Sequence, residues 1–362
     1  MPLPNTSPIR LAVMQGDGIG PEITAATLDV LKAAAKLWQI EFAFQDVLVG
    51  LDALAGHGTT FPEASFEVAK AADGVILAPV SHNDYPQADK GGINPSGALR
   101  KRLDLYANIR PAKTREGFPA RCGKPVDLVV VRENTEGFYA DRNMFQGSGE
   151  FMPTADVALA VRKITRQASM RIAEEAFRLA MQRRKHVTVV HKANVLRVSD
   201  GLFLECTRAA AARYPDVTCE EKIIDAMAAL LVRDASKFDV IVTTNMYGDI
   251  LSDEASEIAG SLGLAASVNS GADHAMAQAQ HGSAPDIAGQ DKANPSSLIG
   301  SVAMLLTWLG ARRDDARLTQ AAAGIERALD AVIAVPELRT GDLGGPLGTK
   351  AFGEKVAGAL KV

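Results

Sequence analysis

The sequence predicts an α/β protein organised on a largely parallel sheet. Two observations carry that prediction: short apolar runs alternate with longer helical patterns from end to end, and with 47% hydrophobic but only 5% aromatic residues the core must be aliphatic. A third concerns organisation. At 362 residues the chain is long enough for two domains, yet it shows no repeat and no low-complexity tether, so two domains would be joined by strands. In chain order, the run IRLAVM is followed by a helix from about Pro21 to Trp38, and GVILAP at 74–79 by further helices. The runs DLVVV at 127–131, HVTVV at 186–190, CEEKII at 219–224 and DVIVTT at 239–244 then read as buried strands. Residues 79–95 and 142–153 look irregular.

Composition narrows the function. A formal charge of -4, from 39 basic and 43 acidic residues, lacks the cationic excess that neutralises phosphates. It excludes a general nucleic-acid or acidic-membrane binder and points to small-molecule partners. Cys122, Cys206 and Cys219 have no paired spacing, which fits free thiols in a reducing compartment. The opening MPLPNTSPIR has no apolar core of a signal peptide, and no apolar stretch is long enough to span a bilayer. The expectation is a cytoplasmic protein, or a matrix protein whose transit peptide is gone.

One stretch organises the chemistry: Asp239 to Ser256, DVIVTTNMYGDILSDEAS. A buried strand runs out to the polar tip Thr243-Thr244-Asn245, Gly248 is expected to make a tight turn, and a helix follows. Asp249 and Asp253, four apart, project from one face near the start of that helix. Like charges at that spacing repel, so something positive is expected between them, and hard carboxylate oxygens suit Mg²⁺ or Mn²⁺. The competing reading is a solvated acidic helix start that complements the helix dipole.

Other motifs bear on the same question. The glycine cluster Gln15 to Glu22 follows a strand and opens a helix, but its spacing is not the GxGxxG of a Rossmann fingerprint, so it reads as a tight turn that can line a cleft. Arg100, Arg110 and Arg132 stand on regular elements, where planar guanidinium forks suit carboxylates. Tyr139 follows a turn glycine and can point into the same space; its alternative is a half-buried aromatic. Lys192 lies just past an apolar strand; beside a metal it could shuttle a proton. Asp225 begins a helix and could be an ordinary N-cap. Residues 280–295 form a polar Gly/Ala/Pro-rich loop that could wrap a nucleotide, with Asp286 accepting from ribose hydroxyls and repelling a 2′-phosphate.

Six motifs in order, GDGIGPE, LDLYANIRP, RENTEGFY, HKANVL, GDILSD and HGSAPDIAG, make the chain resemble the metal-dependent β-decarboxylating dehydrogenases of the isocitrate/isopropylmalate dehydrogenase family over nearly its whole length. The resemblance implies an isopropylmalate dehydrogenase-like fold of two α/β domains, not Rossmann-like: residues 1–105 with 260–362 on the cofactor side, and 106–259 in the middle with a dimer clasp arm at 142–153. It implies a homo-oligomer, dimeric or larger, with shared active sites. Arg100, Arg110 and Arg132 would clamp substrate carboxylates, helped by Asn94 and Ser96 at the start of the helix before Arg100. Asp249 and Asp253 would be metal ligands from one subunit, and Asp225 and Lys192 would reach in from its neighbour. His281, Gly282, Ser283, Ala284, Pro285, Asp286, Ile287 and Asn294 would hold NAD. Lys192 would take the hydroxyl proton as a 2-hydroxy acid on Mg²⁺ or Mn²⁺ gives hydride to NAD. The β-carboxylate would leave as CO₂, and Tyr139 would protonate the resulting enolate.

Substrate choice turns on few residues. Ser96 and Gly97 make a poor apolar pocket for isopropylmalate, and His191 before Lys192 resembles the isocitrate and homoisocitrate branches, so the expected substrate is an isocitrate- or homoisocitrate-like hydroxy di- or tricarboxylic acid. Gln278 departs from the family's usual Glu, and SHNDYPQADKGG at 81–92 matches no branch. Tartrate, malate or isopropylmalate dehydrogenation is the alternative within the enzyme class. A non-catalytic regulatory subunit is the alternative outside it, disfavoured because Tyr139, Lys192, Asp225, Asp249 and Asp253 are all present.

Overall fold

In the computed structural model, which describes residues 7–139, 144 and 146–362, the chain divides into two compact units. The first comprises the chain up to Leu103, the short piece Arg115–Phe118, and Ser261–Val362; the second comprises Asp104–Thr114 and Pro119–Gly260. A continuous central segment is thus interrupted for a physical reason. Buried Arg115 pairs with Glu326 and Asp330, which draws its four-residue piece into the first unit.

In the first unit, Ile9–Met14 pairs in parallel with Phe42–Asp46 on one side and Gly74–Leu77 on the other. Ala275–Gln278 adds in parallel to Gly74–Leu77, and Val268–Ser270 pairs antiparallel with Ala275–Gln278. The glycine turn ends at the Gly20–Trp38 helix, which has Pro21 in its first turn, where the missing N–H is not needed, and buries Ile23, Val30, Leu31, Ala34 and Trp38. Against Trp38 lies Gly324 of the Ala316–Ala334 helix.

The second unit repeats the logic. Asp127–Glu133, Val240–Thr243, His186–His191 and Thr218–Ile223 run parallel in that order, and Ala107–Lys113 pairs antiparallel with Asp127–Glu133. Val129 and Val131 join a core with Ile172, Phe177 and Phe203, whereas Leu128 and Val130 join one with Met227, Leu231 and Leu251. A strand apolar on both faces is covered on both faces, as its unbroken hydrophobic run predicts. The strands Phe42–Asp46, Val268–Ser270 and Ala275–Gln278, not picked out in the sequence, are short or half exposed and carry no such run.

One local expectation is corrected. Gly248 makes no turn: the helix starts at Asn245 and runs to Ala259 with Gly248 inside it. Of the expected arm, residues 142, 143 and 145 lie outside the described residues; Glu150–Thr154 pairs antiparallel with Val157–Ala160 in a wholly exposed hairpin. Among the described residues no helix is long and apolar enough to cross a membrane.

A Cβ at Gly324 would sit 2.2 Å from the Trp38 ring. Alanine is the better helix former by about 1 kcal/mol, yet the overlap should outweigh that gain at a typical overpacking cost of about 1–3 kcal/mol. Gly324→Ala is expected to lower the urea midpoint, a result opposite to the propensity ranking.

Candidate active site

Arg110 and Arg132 come together through strand register. Asp127–Glu133 and Ala107–Lys113 are neighbours with Arg110 opposite Val130, so Arg110 and Arg132 are diagonal neighbours on one face. Both are nearly fully buried, at 6% and 1% exposure, and buried charges of one sign need acceptors. Asp249 supplies them. Its Oδ1 accepts from Arg110 Nη1 at 3.1 Å and from Arg132 Nη1, and its Oδ2 accepts from the Tyr139 hydroxyl at 2.7 Å. Tyr139 in turn accepts from Arg132 Nη2 at 2.7 Å.

Arg110 also donates to Ser252 Oγ at 2.8 Å and to Asp253 Oδ1 at 3.4 Å, so the positive group expected between Asp249 and Asp253 is this guanidinium in the chain by itself. Burial and the adjacent Arg132 push Arg110 down to about 10, against the pull of the two aspartates. Gly248 explains how the helix gets close enough. A Cβ there would fall 2.6 Å from Arg132 Cγ, so only a bare Cα lets the Asn245–Ala259 helix bring Asp249 over both arginines. Asn245, at the head of that helix, accepts from Arg132 Nε at 2.9 Å and donates to the Glu136 carbonyl at 2.8 Å.

Lys192 and Asp225 meet each other, the ammonium on the carboxylate, and this contact holds the Asp225 carboxyl below its ordinary range. Asp225 lies in the first turn of the Ile224–Asp234 helix but is not its N-cap, which is Ile223. Lys192 is fixed from behind. Asp200, fully buried, takes the Lys192 backbone N–H on one oxygen at 2.5 Å and the Arg162 guanidinium on the other. Among the described residues no three of His, Cys, Asp and Glu gather closely enough to hold a metal ion, so Asp225 does not join Asp249 and Asp253 within one chain.

The remaining candidates lie in the first unit. Asn94 Oδ1 accepts from Ser96 N and Gly97 N at 3.0 and 3.3 Å, capping the Pro95–Arg102 helix, so that oxygen is committed to the backbone. Ser96 and Arg100 converge on Gln278, whose Oε1 accepts from Ser96 Oγ at 3.1 Å and Arg100 Nη2 at 2.9 Å. The 281–294 loop curves around a pocket of about 260 Å³ whose lining includes His281, Gly282, Ala284, Ile287, Lys292 and Asn294, together with Ile19 from the glycine turn and Asp342. Ala284 holds a left-handed backbone at φ 37°, a conformation costly for a residue with a Cβ. Ser283 is buried beneath the loop, and Pro285 and Asp286 sit exposed on its rim.

Comparisons place this arrangement. The isocitrate/isopropylmalate dehydrogenase family profile matches residues 10–356. The chain belongs to that family. It is 41% identical to a 3-isopropylmalate dehydrogenase of Sulfurisphaera tokodaii, covering 92% of this chain and 94% of that one. It is 40% identical to an isocitrate/homoisocitrate dehydrogenase of Thermus thermophilus, covering 97% and 98%. The crystal structure of isocitrate dehydrogenase from Methylococcus capsulatus superposes with a TM-score of 0.85 at 38% identity, covering 97% of this chain and 99% of that one. The α/β fold and the decarboxylating dehydrogenase class follow from this membership.

Sequence reasoning passed over Asn245, Ser252, Asp200 and Asp342. Asn245 and Ser252 lay inside stretches read for other residues, and only the fold shows what these two, Asp200 and Asp342 face. It also passed over Glu136, buried beneath the Arg132–Tyr139 segment with Oε1 accepting from Thr165 N at 2.7 Å. Burial, with Glu133 nearby, raises its carboxyl to about 7 despite the Thr165 bond. The unfolded carboxyl titrates near its ordinary 4.5, so between the two values the folded chain holds a proton that the unfolded chain has lost. Stability from this group is therefore present at low pH and lost as pH rises from about 4.5 to about 7. Thermal unfolding across that range should show the decline, and Glu136→Gln should flatten it; an unchanged profile in the variant would remove Glu136 as the cause.

Proposed function

We propose that this member of the family carries out NAD-dependent oxidative decarboxylation of an isocitrate- or homoisocitrate-like 2-hydroxy acid, giving a 2-keto acid and CO₂. The observation that carries the reading is the shared Asp249 carboxylate. Two buried guanidiniums and a phenol already converge on a carboxylate, so the cluster has the charge and donor set to take a carboxylate of the substrate in its place.

The residues fit a hard divalent cation. Asp249 and Asp253 offer carboxylate oxygens at 41% and 50% side-chain exposure, the donor chemistry of Mg²⁺ or Mn²⁺, and need further ligands to complete an octahedron. Asp225 of a second subunit and the substrate itself are the natural sources, and Lys192 would arrive with it. Bound metal would act as a Lewis acid on the hydroxyl and then the keto oxygen. Bound NAD would accept the hydride. Within this chain, Arg110 and Arg132 would bind and orient the acid and Tyr139 would deliver a proton to the enolate carbon after CO₂ leaves, while Lys192 of the second subunit, as the neutral amine, would take the hydroxyl proton.

A homo-oligomer with shared sites is supported by apolar surface near these residues. Val195 and Val198, beside Lys192, are 65% and 88% exposed, and Ile250, beside Asp249, is 57% exposed. In the hairpin, Phe151, Met152, Val157 and Leu159 are exposed as well, at a density that suits burial against another copy. NAD over NADP is supported by the exposed Asp286 on the loop, whose carboxylate would accept from ribose hydroxyls and repel a 2′-phosphate; the pocket wall itself carries one carboxylate, Asp342, and one cation, Lys292. The polar set Ser96, Arg100 and Gln278 favours a carboxylate over the alkyl group of isopropylmalate. Three cysteines are free thiols, which suits a reducing compartment such as the cytoplasm.

The test is a steady-state panel of isocitrate, homoisocitrate, isopropylmalate, tartrate and malate with Mn²⁺ and either NAD or NADP. Turnover of isocitrate or homoisocitrate with NAD is expected; activity confined to isopropylmalate, or to NADP, would overturn the corresponding half. Tyr139→Phe should lower overall oxidative decarboxylation by roughly 10²–10⁴-fold, the range of a lost general acid, while retaining reduction of the keto-acid intermediate. Equal loss of both reactions would remove Tyr139 from the acid role.

A further inference from the structure

The segment at 81–92, which carries none of the six motifs quoted above, has a defined place in the first unit. Its start and end are both pinned. At the far end, fully buried Thr60 accepts the Ile93 N–H on Oγ1 at 2.7 Å and donates that hydroxyl to the Ile93 carbonyl at 2.6 Å, while its own N–H donates to the Gly91 carbonyl at 2.9 Å. At the near end the anchor is Asp17, in the middle of the glycine turn and 7% exposed.

Asp17 collects three donors from two other stretches of the chain on one carboxylate. Oδ1 accepts the Leu51 N–H at 2.7 Å; Oδ2 accepts the Ser81 N–H at 2.9 Å and the Tyr85 hydroxyl. The fit leaves no spare volume, since a Cβ at Gly50 would fall 2.3 Å from Asp17 Oδ1. Burial and the adjacent carboxylate push the Tyr85 hydroxyl far above its ordinary range, so it is a permanent donor. The same turn carries the nucleotide-side loop. Ile19 N donates to the Ser283 carbonyl at 2.8 Å, a Cβ at Gly18 would fall 2.1 Å from that oxygen, and Ser81 Oγ lies 2.7 Å from Ser283 Oγ.

Tyr85, Asp17, Ser81 and Ser283 therefore form one continuous hydrogen-bonded chain, from an exposed connecting segment to the base of the loop that holds Ala284 in its left-handed conformation. We propose that Tyr85 is a positioning residue for the nucleotide loop, acting through Asp17 and Ser81 on Ser283. The inference rests on the cofactor assignment given above and adds to it a residue outside every recognised motif. A phenol-to-carboxylate bond is charge-assisted, so its loss frees Asp17 to turn and Ser81 to leave Ser283. Tyr85 touches neither nucleotide nor acid in this arrangement, so its removal should change how well the loop binds and leave the chemistry intact.

Tyr85→Phe keeps the ring and removes only the hydroxyl. In the wild-type protein and the variant, two measurements decide the matter: amide hydrogen exchange without nucleotide, and NADH titration by fluorescence together with KM and kcat at saturating acid and metal. The expected result is faster exchange at residues 17–20, 81 and 281–287 in the variant. With it should come a roughly three- to tenfold weaker NADH affinity and higher KM for NAD, the loss of one charge-assisted bond, with kcat at saturating NAD retained. Unchanged exchange overturns the linkage, and faster exchange with unchanged nucleotide affinity overturns the positioning role. A fall in kcat with KM unchanged also overturns it, as would a variant unfolded at assay temperature, because Tyr85 would then support the unit as a whole. A wild-type protein that binds no NADH sinks the cofactor assignment and with it the positioning role, while the exchange pattern still reports on the hydrogen-bonded chain by itself.

Discussion

Two guanidiniums buried on adjacent strands share the carboxylate of Asp249, and the second unit is arranged to make that sharing possible. Burying Arg110 and Arg132 side by side costs desolvation twice and adds their mutual repulsion; an acceptor placed between them offsets both. Strand register sets the arginines on one face, Gly248 lets the helix approach, and Asn245 fixes the Arg132 fork from the side. Removing the acceptor alone would leave Arg110 with Asp253 as its carboxylate partner and Arg132 with the neutral Asn245 and Tyr139. An acceptor supplied from outside can replace it, which is why the arrangement reads as a receptor for a carboxylic acid. Asp249 has one carboxylate to offer. Given to a cation, as proposed above, it would release Arg110, Arg132 and Tyr139 to find another acceptor, and an acid that brings one would bind with the metal as a unit.

The first unit uses the same device on neutral donors. Asp17 draws backbone N–H groups and a phenol from separate pieces of chain onto one buried carboxylate, and the glycines around it exist because nothing larger fits. Where Asp249 holds side chains that a ligand could take over, Asp17 holds two backbone N–H groups and the Tyr85 phenol of its own unit. Its bonds are satisfied within the unit and give the 281–294 loop a fixed base. The two aspartates thus separate recognition from support, and only the recognition site is half open to solvent.

The fold class was legible because buried parallel strands are written as unbroken β-branched runs, and their valines divide between two cores as the pleat requires. The carboxylate pair on one helix face and the arginines were legible as residue types at spacings that suit their chemistry. What the sequence did not show was the connection between them. A glycine in a helix looks like a turn until the side chain it must clear is known, and Gly248 clears Arg132. Asp17 sat inside a motif read only for its glycines, and Tyr85 in a stretch with no pattern at all; both act through contacts across 30 or more positions, as between Asp17 and Tyr85 at a separation of 68. Asn94 read as a substrate ligand, and its oxygen also caps a helix; spacing alone does not show that second task of an Asn before a helix.

The central claim is that the Asp249 carboxylate is held in competition between the chain's own cations and a metal, so that metal and acid must bind cooperatively. Calorimetric titration of Mn²⁺ into the NAD-free protein, with and without the acid that is turned over and corrected for chelation in solution, measures this directly. The account predicts Mn²⁺ affinity at least about tenfold tighter with the acid present, a coupling of about 1.4 kcal/mol or more, and an equal gain for the acid when metal is present. Independent binding of the two, with Mn²⁺ as tight alone as in company, would contradict it.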